Sequence, residues 1–145
     1  MKKIISVLAL TLPSVFSVTA AATDKVTFQV ALNGVKTGHA PLYVSVQDAN
    51  KIRTSSANAG VILRELNEES VTVDLEVEPG VYAVSVWHDL DEDGKFSMGK
   101  NYIPTDGWGA SGTPPRDRAP SFDDMKIEIF QNGQVIAVDM DYATE

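Results

Sequence analysis

VTVDLEV (residues 71–77), EPG (78–80) and VYAVSVWH (81–88) decide the fold of this chain. Val71, Val73, Leu75 and Val77 alternate with Thr72, Asp74 and Glu76, the period of two that gives a strand one apolar and one polar face. Pro79 fixes φ at one corner of the connection and a glycine such as Gly80 can accept positive φ at the next, so a tight reversal is expected. The strand that follows is different. Tyr82, Val84 and Val86 on one face and Val81, Ala83 and Trp87 on the other are all apolar, which predicts a central strand covered on both sides.

The same alternation extends outward in both directions. Val26, Phe28, Val30 and Leu32 form one strand pattern, closed by the turn-forming pair Asn33-Gly34. Leu42, Val44 and Val46 form another after Pro41, and residues 48–59 are small and polar, as in a loop. Val61 to Leu66 is too short a run for periodicity to separate a strand from a single helical turn. Lys126–Phe130 and Val135–Tyr142 flank Asn132-Gly133, which predicts a hairpin through a type I′ turn. Six strands, a seventh undecided one, short connections and no amphipathic helix predict an all-β protein, an antiparallel β-sandwich of six to seven strands.

Composition narrows the function classes. In 145 residues there is no cysteine, which excludes disulfides, a thiol nucleophile and cysteine-bound zinc or iron–sulfur clusters. Twenty acidic against 12 basic residues give a net charge of −8, opposite to what a nucleic-acid backbone attracts. No HExxH, CxxC, glycine-rich phosphate loop or nucleophile elbow occurs.

Lys2 and Lys3 precede an apolar run from Ile4 to Leu12, and small residues lead to Ala20, Ala21 and Ala22. This is the pattern of a secretory signal peptide over residues 1–22, with cleavage expected after Ala20, Ala21 or Ala22. The expected location is outside the cytoplasm, periplasmic or secreted, with one domain over residues 23–145 and no membrane insertion after processing. Processing removes two lysines and no acid, so the mature net charge becomes −10.

Between His88 and Lys126 the strand pattern lapses, in a stretch rich in glycine and proline. A loop of this length in one domain is usually functional or tied down. Phe96, Tyr102, Trp108 and Phe122 are more aromatics than a disordered linker holds, so residues 89–124 are expected to be ordered against the Trp87 face.

That loop opens on Asp89-Leu90-Asp91-Glu92-Asp93-Gly94-Lys95-Phe96-Ser97. Carboxylates at positions 1, 3 and 5 and glycine at 6 match the first half of an EF-hand calcium loop. Alternate residues in a tight turn converge their side chains, and a hard cation takes six or more oxygens. Asp89, Asp91 and Asp93 are the expected carboxylate ligands, with the Lys95 carbonyl and Ser97. Position 12, where an EF-hand has glutamate, is Lys100, so further ligands must come from elsewhere, with Asp106, Asn101 and loop carbonyls as candidates. The expected cofactor is calcium, bound weakly. His88 precedes Asp89, but neighbours on a strand point to opposite faces. With His39 the only other histidine, no catalytic residue is assigned.

The run from Gly80 through His88-Asp89 to Lys95-Phe96, then Ile103-Pro104, Gly107-Trp108-Gly109 and Pro120-Ser121-Phe122-Asp123-Asp124, resembles the DUF2141 family of exported bacterial proteins. The resemblance covers roughly residues 26–142 and is strongest over 80–124. It implies a transthyretin-like or immunoglobulin-like sandwich in a family without an assigned activity. The family's acidic loop falls on Asp89, Asp91, Asp93 and Gly94. Ser97 stands where relatives usually carry an acid, and Asp106 where they usually carry glutamate.

Three functions compete on these grounds. The first is a non-enzymatic exported module whose loop is ordered by calcium. The second is a module binding a glycan or a protein partner through Tyr102 and Trp108, since aromatic faces suit both. The third is a metal-dependent hydrolase combining His88 with the aspartates.

Overall fold

The computed structural model describes residues 23–38, 41–100 and 103–143. The expected signal peptide, His39, Asn101 and Tyr102 lie outside them.

The alternating segments form β1 (Val26–Asn33), β2 (Leu42–Gln47), β3 (Ala59–Leu63), β4 (Ser70–Val77) and β5 (Gly80–His88). They are followed by β6 (Gly107–Ala110), a single turn α1 (Phe122–Met125), β7 (Lys126–Ile129) and β8 (Val135–Asp139). Two sheets result. One has the order β4-β1-β8, and the other β3-β2-β5-β6, with β7 also on β5. The protein is an all-β sandwich with two mostly antiparallel sheets.

The apolar face of each strand meets the opposite sheet. Phe28, Val30, Leu32 and Val138 from the first sheet are sealed from solvent together with Leu42, Val44, Val46, Val84 and Ile129 from the second. Each such side chain contributes about 1.5–3 kcal/mol relative to leaving it exposed, before chain entropy is opposed. With no disulfide, this layer and the ladders hold the domain.

One open reading is resolved and three details differ from the sequence expectation. Val61 to Leu63 belongs to a strand, because β3 continues the ladder of β2 through Val44↔Val61 and Leu42↔Leu63. The terminal hairpin does not form: β7 pairs with β5, whereas β8 crosses to the other sheet and runs parallel to β1. Only Gly133 takes positive φ (76°), whereas a type I′ turn needs it at both central residues. Asn132 instead accepts the Thr27 N–H at 2.8 Å through its side chain, and Gly133 donates to the Thr27 carbonyl at 2.8 Å, so the turn is pinned to β1.

The second difference is β6, an eighth strand inside the supposed loop. It pairs with β5 through Trp87↔Trp108, and Trp108 exchanges backbone hydrogen bonds with Asp141 at 2.9 and 2.7 Å. A Cβ on Gly107 would strike the Tyr142 ring, and one on Gly109 would approach Val138 Cγ1 to 2.8 Å. These glycines serve close approach of the two sheets rather than a turn. The third is β5, central by its lateral partners β2, β6 and β7. Its inner face is buried, but its outer face is covered only in part, with Val81 exposed and Trp87 half-buried.

Candidate metal centre

The centre is built where β5 runs out. His88 and Asp89 are both sealed from solvent, but they face different surroundings. His88 points toward the other sheet, where its Nδ1 shares a 2.8 Å hydrogen bond with the Tyr142 hydroxyl. That hydroxyl also accepts the Lys36 N–H at 3.1 Å, and burial pushes the Tyr142 phenol above its ordinary range. Asp89 continues the ladder past β2 by donating its N–H to the Pro41 carbonyl at 3.0 Å, and its side chain closes the acidic turn.

Asp89 Oδ1 accepts the N–H of Asp93 at 3.2 Å, and Oδ2 accepts that of Gly94 at 2.9 Å. The turn is tight enough to put two residues in the left-handed region, Gly94 (φ 74°) and Glu92 (φ 57°). Glycine adopts this freely, whereas Glu92 does so at a cost of about 1–2 kcal/mol. From Ser97 the chain turns back on itself: Thr105 donates to the Ser97 carbonyl at 3.0 Å and Gly99 to that of Ile103 at 2.8 Å. This return places Asp106 beside the acidic turn just before β6 begins.

Asp106 is buried and highly connected. Its Oδ1 accepts the Leu90 N–H at 3.1 Å. Its Oδ2 accepts the Ser97 N–H at 2.9 Å and the Trp87 indole N–H at 3.0 Å. Asp91, by contrast, is exposed and takes one N–H, from Asp93, at 3.3 Å.

Asp89, Asp91 and Asp106 each present a carboxylate oxygen within 4.8 Å of the other two. Desolvation, and then the neighbouring carboxylates Asp93, Asp106 and Asp89, hold the Asp91 carboxyl above its usual range. The ion pairs among the described residues are Arg116–Asp141, Arg118–Asp124 and Lys126–Asp123, and none neutralises these three acids.

The six ligands expected from sequence therefore divide. Asp89, Asp91 and Asp106 come together. Asp93 stands outside the group, with its Oδ1 accepting the Lys95 N–H at 2.8 Å. The Lys95 carbonyl accepts the Ser97 hydroxyl at 3.4 Å, and Ser97 donates its N–H to Asp106 Oδ2 at 2.9 Å. The role of Trp87 in holding Asp106 left no signal beyond its place on the outer face of β5.

The three acids have lone pairs to spare. A carboxylate has about four acceptor sites, of which, among the described residues, Asp89 uses two, Asp106 three and Asp91 one. Fold and site together define a β-sandwich domain with a carboxylate cluster at one end, braced by its own backbone N–H groups. The family model of an uncharacterized protein conserved in bacteria, DUF2141, matches residues 30–137, and the chain belongs to that family. Neither the curated proteins nor the solved structures contain a match.

Proposed function

We propose that the carboxylate cluster binds calcium, and that the protein is an exported, non-enzymatic module whose long loop the ion braces. One observation carries this reading: the convergence of Asp89, Asp91 and Asp106 within 4.8 Å. Two oxygens bound to one calcium ion at 2.3–2.6 Å lie up to about 5 Å apart, the scale on which these three oxygens converge. Two of the three acids are buried and fixed by N–H donors, so little side-chain entropy opposes binding, while mutual repulsion favours it. Three protein carboxylates leave several coordination positions to water and carbonyls, which fits a hard cation held weakly. The engagement of His88 with Tyr142 supports a role without hydrolytic chemistry. Export rests on the residue 1–22 pattern.

The test is thermal unfolding of chelator-stripped protein across micromolar to millimolar calcium, with magnesium in parallel. Binding to the native state alone raises Tm progressively with concentration, because stabilisation grows as RT ln(1 + [L]/Kd). A Tm that stays flat through millimolar calcium removes the metal reading.

A further inference from the structure

The outer face of the second sheet carries two cross-strand rows of opposite size. Ile62, Tyr43, Trp87 and Trp108 are successive partners across β3, β2, β5 and β6. The next row on the same face is Gly60, Ser45, Ser85 and Ala110, again successive partners. Directly paired residues project from one face, so a ridge of large apolar groups stands beside a trough of small ones. The Tyr43 and Trp87 rings stack with centroids 4.6 Å apart at 14°, and Phe96 from the acidic loop meets Trp87 edge-on at 6.4 Å. Pro120 and Met125 line the same space, a groove of about 320 Å³ over β2, β5 and β6.

The chemistry of this groove selects its occupant. In a chain of net charge −8, the lining contains no Asp, Glu, Lys, Arg or His. A charged ligand would lose hydration there and gain no partner. The backbone groups beneath the floor are engaged in the sheet ladders, so an extended peptide lying there would leave its own amides unpaired, and peptides add instead at sheet edges. The groove offers aromatic rings and unengaged side-chain hydroxyls, because Ser45 and Ser85 make no side-chain hydrogen bond with a described residue. A sugar ring is the neutral complement, with apolar C–H faces for the rings and hydroxyls for the serines.

We propose that this groove binds a neutral saccharide, packed against the ridge of Tyr43, Trp87 and Trp108 and hydrogen-bonded by Ser45 and Ser85. The groove adjoins the carboxylate cluster through the Trp87–Asp106 hydrogen bond, but its own lining holds no carboxylate.

Saturation-transfer NMR on the full chain tests it, with cellobiose, maltose, lactose and diacetylchitobiose as probes and a proline-rich peptide as comparator, with and without calcium. Transfer to the ring C–H protons of at least one disaccharide, in either buffer, is the expected result. Loss of one stacking aromatic in Trp108→Ala weakens binding about tenfold. Ser85→Leu fills the trough and abolishes binding, and the milder Ser45→Ala/Ser85→Ala pair weakens it while leaving the fold intact by circular dichroism. The proposal is overturned if no disaccharide shows transfer in either buffer, if only the peptide does, or if a folded Ser85→Leu protein binds as the wild type.

Discussion

The indole N–H of Trp87 donates to Oδ2 of Asp106 across 3.0 Å, joining the outer sheet face to the acidic loop. The two residues are 19 positions apart, and Asp106 also takes N–H donors from Leu90 and Ser97. One buried carboxylate thereby fixes the limb leaving β5 and the limb returning to β6. Phe96, edge-on to Trp87, anchors the same loop from its outer side.

Trp87→Phe keeps a ring against Tyr43 but removes this donor. A hydrogen bond to a charged group contributes about 1.5–3 kcal/mol, and urea unfolding should show a loss of that size. Wild-type stability in the variant would mean that the link holds nothing.

Asp91→Asn and Asp93→Asn separate the observed cluster from the linear 1-3-5 pattern. Asp91 belongs to the converging group and Asp93 does not. Calcium at a hundredfold excess over Kd stabilises by about 2.7 kcal/mol, and Asp91→Asn should lose most of the resulting Tm rise. Asp93→Asn should retain it. Equal losses would show that Asp93 is a ligand as well.

Gly133→Ala and Gly112→Ala differ in what surrounds them. Both glycines have positive φ, 76° and 71°, but an added Cβ on Gly133 meets nothing within 4 Å. Its alanine variant should cost only the left-handed penalty, about 1–2 kcal/mol. On Gly112 the same atom strikes the Asp124 carbonyl and comes within 2.9 Å of Met125 Cα. Overpacking then adds about 1–3 kcal/mol, and chemical denaturation of the two variants should show the difference.

Asp124 gives the pH dependence. Arg118, first, and then the hydroxyl and N–H of Ser121 hold its carboxyl well below the ordinary 3.8. The bonds to Arg118 are bidentate, at 2.7 and 2.8 Å. A depressed folded value means stability that is present above pH 3.8 and lost as pH falls from there toward the folded value. Asp124→Asn should therefore unfold earlier than wild type at neutral pH, with the gap closing below pH 3.8. A gap unchanged between pH 7 and pH 2 would show that Asp124 is not the group responsible.

The strands were legible wherever one face was apolar and the other polar. Val26 to Leu32 and Val71 to Val77 need no partner to reveal their period, because alternation follows from the pleat itself. Gly107-Trp108-Gly109-Ala110 was not legible. Its glycines look like loop residues until β8 and Tyr142 are seen against them. Asn132-Gly133 misled for a related reason: turn chemistry specifies a reversal, but whether the next strand returns to the same sheet depends on which edge is open.

For the candidate site, the sequence alone determined that acids crowd the end of β5, since Asp89, Asp91 and Asp93 lie within five residues of a strand terminus. Sequence also determined that Gly94 permits the bend. Only the tertiary structure decided which acids meet. Asp93 stands outside the converging group, with its carboxylate turned to the Lys95 N–H, and Asp106, one of several candidates in the sequence, comes beside Asp89 and Asp91 through the return of the loop. The trough of Gly60, Ser45, Ser85 and Ala110 was likewise hidden, because it runs across four strands and each contributes one unremarkable residue. Local pattern records what a residue does along its own strand. Register and loop return decide what stands beside it, and the convergence of charge and the shape of a groove depend on those neighbours.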